Sequence, residues 1–419
     1  MPLGGAPCDT SGELATRLPA SAGPARVEVP FHRPSIGDDE IDEVVQTLRS
    51  GWLTTGAKTR LFEQRFAAAV GAPLAVAVGS CTAALHLALE ALGLGPGDAV
   101  LVPTMTFAAT AEVVRHLGAQ PLFVDCAPDT LLIDLEHARA RAAEHVAGGG
   151  RVAGILPVHV GGVMVDLARA RAIADEVGGW VVEDAAHAFP AAWRPSPSAE
   201  WRVCGSGEAD VTCFSFYANK TITTGEGGMA VTRRPELEAR MRAMSLHGLS
   251  RDAWRRDGDW SYEILAAGFK YNMTDLQAAL GIHQLARAEA LREERAAICA
   301  EYGRALAACE EVELPPQSED RRSSHHLYYL RLRLDRLRVD RATFIQELAS
   351  RGVRASVHWR PLHLHAYWRS GAPEADSLPV ATALWPRLVS LPIFPDMSAA
   401  ERRAVTDAVV DVCRCERLG

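Results

Sequence analysis

Between Leu74 and Val231 the chain repeats one pattern, in which short apolar runs alternate with stretches of helical character. The runs are Ala75–Val78, Val100–Val102, Leu122–Val124, Gly154–Val158, Trp180–Glu183, Val211–Phe216 and Met229–Val231. Several are apolar at consecutive positions rather than at every second one, as expected of strands covered on both faces. The helical stretches between them include Thr82–Leu92, Thr106–Leu117, Leu135–Val146 and Asp166–Val177. The pattern predicts an α/β fold with a seven-stranded, mostly parallel sheet and helices on both faces. In such sheets ligands bind beyond the carboxyl ends of the strands, so the residues just after each run carry the functional information.

A long helical pattern follows from Met273 to Ala308. After Pro315-Pro316 the character changes. Tyr328–Leu334 alternates like a strand, while Arg341–Arg351 and Ser398–Cys413 read as helices. This predicts a large domain over residues 28–279 and a smaller α+β domain over 280–419. Residues 1–27 read as a loose tail rich in Ala, Pro, Gly and Ser; it holds Glu13 and Arg17 and lacks the apolar centre of a signal peptide. No apolar run approaches the roughly 18 residues of a membrane span. Lys and Arg total 44 against 52 Asp and Glu, a net charge of −8, which argues against a general nucleic-acid binder. Nine cysteines without a Cys-x-x-Cys pair give no disulfide framework, and Cys413-x-Cys415 reads as incidental. A cytoplasmic protein is expected.

Gly93-x-Gly95-x-Gly97 follows a helix and precedes a strand, the reverse of a dinucleotide-binding turn, and reads as a helix stop. Three other segments carry more. Val78-Gly79-Ser80-Cys81-Thr82 passes from a strand into a helix, where backbone N–H groups and hydroxyls can bind phosphate; a plain serine cap is the simpler reading. Val182-Glu183-Asp184 puts a carboxylate at the end of an apolar strand, where an acid needs a partner. Asp184 and His187 alone are too few ligands for a metal site. Lys220 lies just past another strand and just before Gly225-Glu226-Gly227-Gly228. Most lysines are solvated, but one held beside a sheet can act as an amine nucleophile. Together, a phosphate-binding helix start, a strand-end acid and a lysine are what pyridoxal 5'-phosphate requires.

The order and wording of these segments resemble the DegT/DnrJ/EryC1/StrS family of sugar aminotransferases. Matching phrases include Ser80–Leu85, Pro103–Thr110, Phe123–Asp125, Pro157–Gly161, Glu183–His187, Phe214–Lys220 and Gly268–Ala279. The likeness runs from about Val29 to Pro395. Gly51-Trp52-Leu53-Thr54-Thr55-Gly56 and Tyr271-Asn272-Met273-Thr274-Asp275 look most like the branch that makes 4-amino-4-deoxy-arabinose. The resemblance implies the fold of type I pyridoxal phosphate-dependent transferases and a homodimer with shared active sites.

It also implies roles. Lys220 carries the cofactor, Asp184 pairs with its ring nitrogen, and His187 sits near its phenolic oxygen. Phe107 stacks on the ring. Ser80, Thr82, Ala83 and Ser215 surround the phosphate, which Asn272 reaches from the neighbouring subunit. One branch replaces the lysine by His and dehydrates its sugar; Lys220 argues against that branch, and the intact Lys220–Asp184 pair argues against a non-catalytic regulator. The expected reaction moves an amino group from glutamate to C4 of a nucleoside-diphosphate 4-keto sugar, with a 3-keto sugar as the alternative. Arg351–Arg369 contains four Arg and three His without an acid, interleaved with Trp359, Tyr367 and Trp368. Such a patch suits a diphosphate. His358 and His363, with Arg360 and Thr55, are the expected substrate contacts; a solvated basic loop is the plain alternative.

Overall fold

The structure, a computed structural model, describes residues 27–250, 262–369 and 378–418. The tail over 1–27 lies outside these residues except for Val27. Seven strands form the central sheet: β1 Leu74–Val78, β2 Asp98–Pro103, β3 Gln120–Val124, β4 Arg151–Ile155, β5 Trp180–Asp184, β6 Val211–Ser215 and β7 Gly228–Thr232. Their order across the sheet is β1-β7-β6-β5-β4-β2-β3. From β3 to β6 every pairing is parallel, and β7 alone runs antiparallel, between β6 and β1. Every residue of β2, β5 and β7 is buried, which is why these strands read as apolar runs.

Strand β4 begins and ends three residues earlier than its apolar run suggests. Pro157 has no N–H to add to a ladder. Its carbonyl instead accepts the Asp184 N–H at 2.9 Å, and Val158 makes one isolated bridge to Asp184. The end of β5 is thus anchored through the loop after β4.

Alternation sorts side chains between two helical layers. Val76 and Val78 of β1 face α3 (Cys81–Ala91), α4 (Ala108–His116) and α7 (Pro235–Ser245). Ala75 and Ala77 face the other way, toward Phe62, Phe66 and Val70 of α2 (Ala57–Val70). On that second face β2–β5 are covered by α5 (Leu135–Ala147) and α6 (Leu167–Glu176).

Helix α8 (Asp275–Leu306) starts with a capping box between Thr274 and Gln277. Its first half packs on the large sheet, and Ile298, Tyr302 and Leu306 belong to the core of the smaller domain. A boundary at 279/280 therefore falls inside one helix. The smaller domain has a three-stranded antiparallel sheet, Val312–Glu313, Tyr328–Leu332 and Leu388–Leu391, with helices Arg341–Ser350 and Ala399–Glu416 against it. No helix among the described residues is long and apolar enough to cross a membrane.

Candidate active site

A cavity of about 350 Å³ opens at the carboxyl ends of β5 and β6. It is lined by Ser80, Thr82 and Phe107 on one side, by Asp184 and Lys220 at its base, and by His187, Ser215 and His358 around them. Eight of the residues singled out in the sequence thus meet in one place, drawn from segments 80 to 358.

Asp184 ends β5 and is 5% exposed. Its neighbour Glu183 is fully buried and points to the opposite face, as alternation requires. Thr212 donates to Glu183 at 2.7 Å and His159 Nε2 at 2.8 Å. His159 Nδ1 already accepts the Val165 N–H, so Nε2 carries the ring proton. Glu183, His159 and Cys204 lie close enough to hold a cation, but this bonding leaves no imidazole lone pair for one. Asp184 is different. It accepts from Thr110 Oγ1 at 2.8 Å and from the Ala186 N–H at 3.1 Å, with no arginine against it among the described residues. Burial pushes its carboxyl above the usual range, against the pull of those two bonds and of Lys220. It is an acid short of a cation.

Lys220 sits on the loop between β6 and β7. That loop is closed at its neck: Phe216 N–H donates to Gly227 O at 2.9 Å, and Thr224 N–H and Thr223 Oγ1 donate to Phe216 O at 2.9 and 3.0 Å. His32 reaches across from the N-terminal arm and donates to Ala218 O at 2.7 Å. Its ring is held neutral, its pKa lowered to about 4 by burial. The lysine lines the cavity and so keeps some exposure, yet its surroundings lower its amine to about 8, chiefly through burial. An amine so placed is a nucleophile near neutral pH.

Ser80 caps α3, accepting the Ala83 N–H at 3.1 Å. The helix start therefore offers the Thr82 and Ser80 hydroxyls and the first N–H groups to an anion, while the Ala83 N–H is shared with the cap. Gly228 makes the close approach of β7 to this turn possible, since a Cβ there would lie within 3.0 Å of the Ser80 and Cys81 backbone. Phe107 is 61% exposed at the cavity mouth, an unusual state for a phenyl ring without a partner.

His187 accepts the Gly161 N–H at Nδ1 (3.2 Å), which leaves the proton on Nε2. The Gly161 backbone has φ +66°, a left-handed turn that suits glycine. Burial and the nearby Lys220 hold the His187 ring neutral. Its ring stacks on Trp359 at 5.0 Å and meets His326 at 4.0 Å. His358 bonds Ser390 at 2.9 Å, stacks on Phe31 at 5.5 Å, and is lowered to about 4 by burial. Phe31, His326 and Thr110 were not singled out in the sequence, though Thr110 falls inside a family-like phrase and Phe31 inside the family-like span; Trp359 was read only as part of the basic patch.

Other expected contacts lie elsewhere. His363 is buried between Thr104 (2.6 Å) and Thr382 (2.9 Å). Arg360 donates to Leu364 O at 2.9 Å. Asn272 and Thr55 bond each other at 2.7 Å and line a separate cavity of about 230 Å³. Within one chain these four residues do not line the cofactor-sized cavity.

A lysine and a buried acid at the carboxyl ends of adjacent parallel strands, facing a helix N-terminus, fit what pyridoxal phosphate needs of its site. Comparison with known proteins agrees. Residues 34–410 match the model of the DegT/DnrJ/EryC1/StrS aminotransferase family, and the chain belongs to that family. It is 42% identical over 392 residues to the spore coat polysaccharide biosynthesis protein SpsC of Bacillus subtilis, covering 92% of this chain and 97% of SpsC. It is similar to the putative sugar aminotransferase Spr1654 of Streptococcus pneumoniae in its PMP form, with 32% identity, TM-score 0.84, and 92% and 99% of the two chains covered. The PLP form of Spr1654 gives a TM-score of 0.83 at 32% identity, with 93% and 99% covered. The chain is a pyridoxal phosphate-dependent sugar aminotransferase. Its unpaired Asp184, its Lys220 and the Phe107 ring fit that cofactor.

Proposed function

We propose that the protein transfers an amino group from glutamate to C4 of a nucleoside-diphosphate 4-keto sugar, a pentose or 6-deoxyhexose, as a homodimer with composite sites in the cytoplasm. When bound, the cofactor supplies a ring that accepts electrons from the carbon being deprotonated. Lys220 would hold the cofactor through Nζ, and its amine, freed when the donor binds, would accept the proton from the donor Cα. Asp184 would hold the proton on the ring nitrogen. His187, with its proton on Nε2, would serve as a donor toward the phenolic oxygen, and Phe107 would cover one ring face. Ser80, Thr82, Ala83 and Ser215 would hold the phosphate.

The observation that carries this reading is the convergence of Lys220, Asp184 and the α3 start on one cavity. SpsC, by its name, serves polysaccharide synthesis, and that supports a saccharide acceptor here. C4 rests on the likeness of the 51–56 and 271–275 phrases to the arabinose branch. For the shared site, the support is that Asn272 and Thr55 lie outside their own chain's cofactor cavity while Phe107 and Tyr217 at its mouth are exposed. His358 faces the cavity; Arg360 would meet the diphosphate only from outside it, and His363, with both ring nitrogens engaged, would act only by holding this segment in place.

The test is amination of 4-keto and 3-keto sugar nucleotides and of free keto sugars, with glutamate, followed by 2-oxoglutarate release. The reading expects one equivalent of 2-oxoglutarate and a preference for the 4-keto nucleotide. A preference for the 3-keto compound overturns the regiochemistry, and equal rates with free sugars overturn the nucleotide.

A further inference from the structure

Lys220 must serve two substrates in turn at one cavity. An amino acid donor brings a carboxylate on the reacting carbon, and a keto sugar brings none there. The carboxylate needs a partner that the sugar can do without. The hydroxyls and helix start at Ser80–Thr82 are taken by the cofactor phosphate in the reading above. The remaining end of the cavity is built from His187, His326, His358 and Trp359.

His326 stands out there. It is 5% exposed, and its Nδ1 is buried with no hydrogen-bond partner. The charged and titratable groups bearing on it are Lys220, Arg295, His187 and His358, with no acid among them. Arg295, on α8, is 1% exposed. Its Nη1 donates to Ile393 O at 2.9 Å, while Nε and Nη2 are buried without partners, and no carboxylate pairs with it among the described residues. A buried guanidinium without a counter-charge is costly, and so is an unpaired buried nitrogen. His326 lines this end of the cavity, so an anionic group brought there can meet the exposed edge of its ring and feel the Arg295 charge through the wall. His187 is less suited, because its Nδ1 is committed to Gly161.

We propose that His326, backed by the charge of Arg295, forms the subsite for the α-carboxylate of the amino donor; this rests on the reading that an α-amino acid is that donor. His326 makes the contact, and Arg295 is a positioning residue that raises the local potential. The subsite tells donor from acceptor, because only the donor fills it.

The test titrates the holoenzyme with two amines, read by the absorbance of the bound cofactor. α-Methylglutamate keeps both carboxylates but lacks the Cα hydrogen, so it binds without transfer. 4-Aminobutyrate lacks the α-carboxylate. Wild type is expected to prefer α-methylglutamate. His326→Ala should weaken α-methylglutamate by about tenfold or more, the scale of one hydrogen bond to a charged group, and barely change 4-aminobutyrate. His326→Gln, which keeps volume and an N–H donor, should recover part of the loss, and Arg295→Met should show the same selective loss to a smaller degree. Equal losses for both amines, or none, in His326→Ala and His326→Gln overturn the subsite while leaving the donor reading intact. A wild type that responds to neither α-methylglutamate nor glutamate removes the donor reading and the subsite with it.

Discussion

Thr110 offers a sharp test of how Asp184 is kept ready. Its hydroxyl donates to Asp184 Oδ2 at 2.8 Å and contacts Thr106 Oγ1 at 2.7 Å, all in a buried setting. Thr110→Val keeps the shape and deletes the donor. Asp184 then retains only the Ala186 N–H as a hydrogen-bond donor to its carboxylate. A hydrogen bond to a charged group contributes about 1.5–3 kcal/mol, which is about one to two units of further rise in the Asp184 pKa. The acid is already pushed up by burial, so the variant should hold the protonated ring more weakly. Apparent cofactor affinity should fall about ten- to hundredfold, with a matching loss of turnover at limiting cofactor. Equilibrium dialysis of the holoenzyme, read by cofactor absorbance, measures this directly. Thr110→Ser restores the donor and should recover most of the loss. Affinity within about twofold of wild type in Thr110→Val would refute the argument that this bond tunes Asp184.

Three further outcomes follow from the same geometry. Recombination of the apoprotein with pyridoxal phosphate should accelerate with pH, pass its midpoint near the lowered Lys220 pKa of about 8 and level off roughly one unit above it, because the neutral amine is the reacting form; a rate still climbing at about pH 10 would mean an ordinary lysine. Gly228→Ala forces a Cβ against the Ser80–Cys81 backbone and should cost about 1–3 kcal/mol of stability together with cofactor occupancy, seen in thermal melts and absorbance. Mixing Lys220→Ala with Asn272→Asp chains should return up to about a quarter of wild-type activity, since half of the dimers are hybrids and one of their two sites is intact; no recovery would place both residues in the same chain's site.

What was legible in the sequence followed burial on both faces. All seven strands were readable because their runs are covered by helices on either side, and only β4 was displaced, where Pro157 interrupts the ladder. Lys220 and Asp184 were legible because Asp184 ends an apolar strand and Lys220 lies just past another. Glu183 next to Asp184 was equally acidic in the sequence, and only the pleat decides which acid faces the cavity and which is used up by Thr212 and His159. His358 and His363 lie five residues apart and differ in fate, since His363 is folded back onto Thr104 by the Leu362 N–H to Thr104 O bond. Thr110 reads as an ordinary helix threonine, and its partner lies 74 residues away. His326 had no apolar strand end beside it to mark it, and its neighbour His187, which in turn stacks on Trp359, comes from a distant segment. The arm at Phe31 and His32 lies at the start of the family-like span, but its bond to the Lys220 loop exists only in three dimensions.

The central claim is that Lys220 is the residue to which the cofactor is joined. Reduction of the holoenzyme with borohydride fixes that bond, and peptide mass mapping locates it. The account predicts the cofactor adduct on the peptide containing Lys220, at close to one per chain, and none in Lys220→Ala. An adduct on another lysine, such as Lys270 or Lys58, or full occupancy in Lys220→Ala, would contradict it.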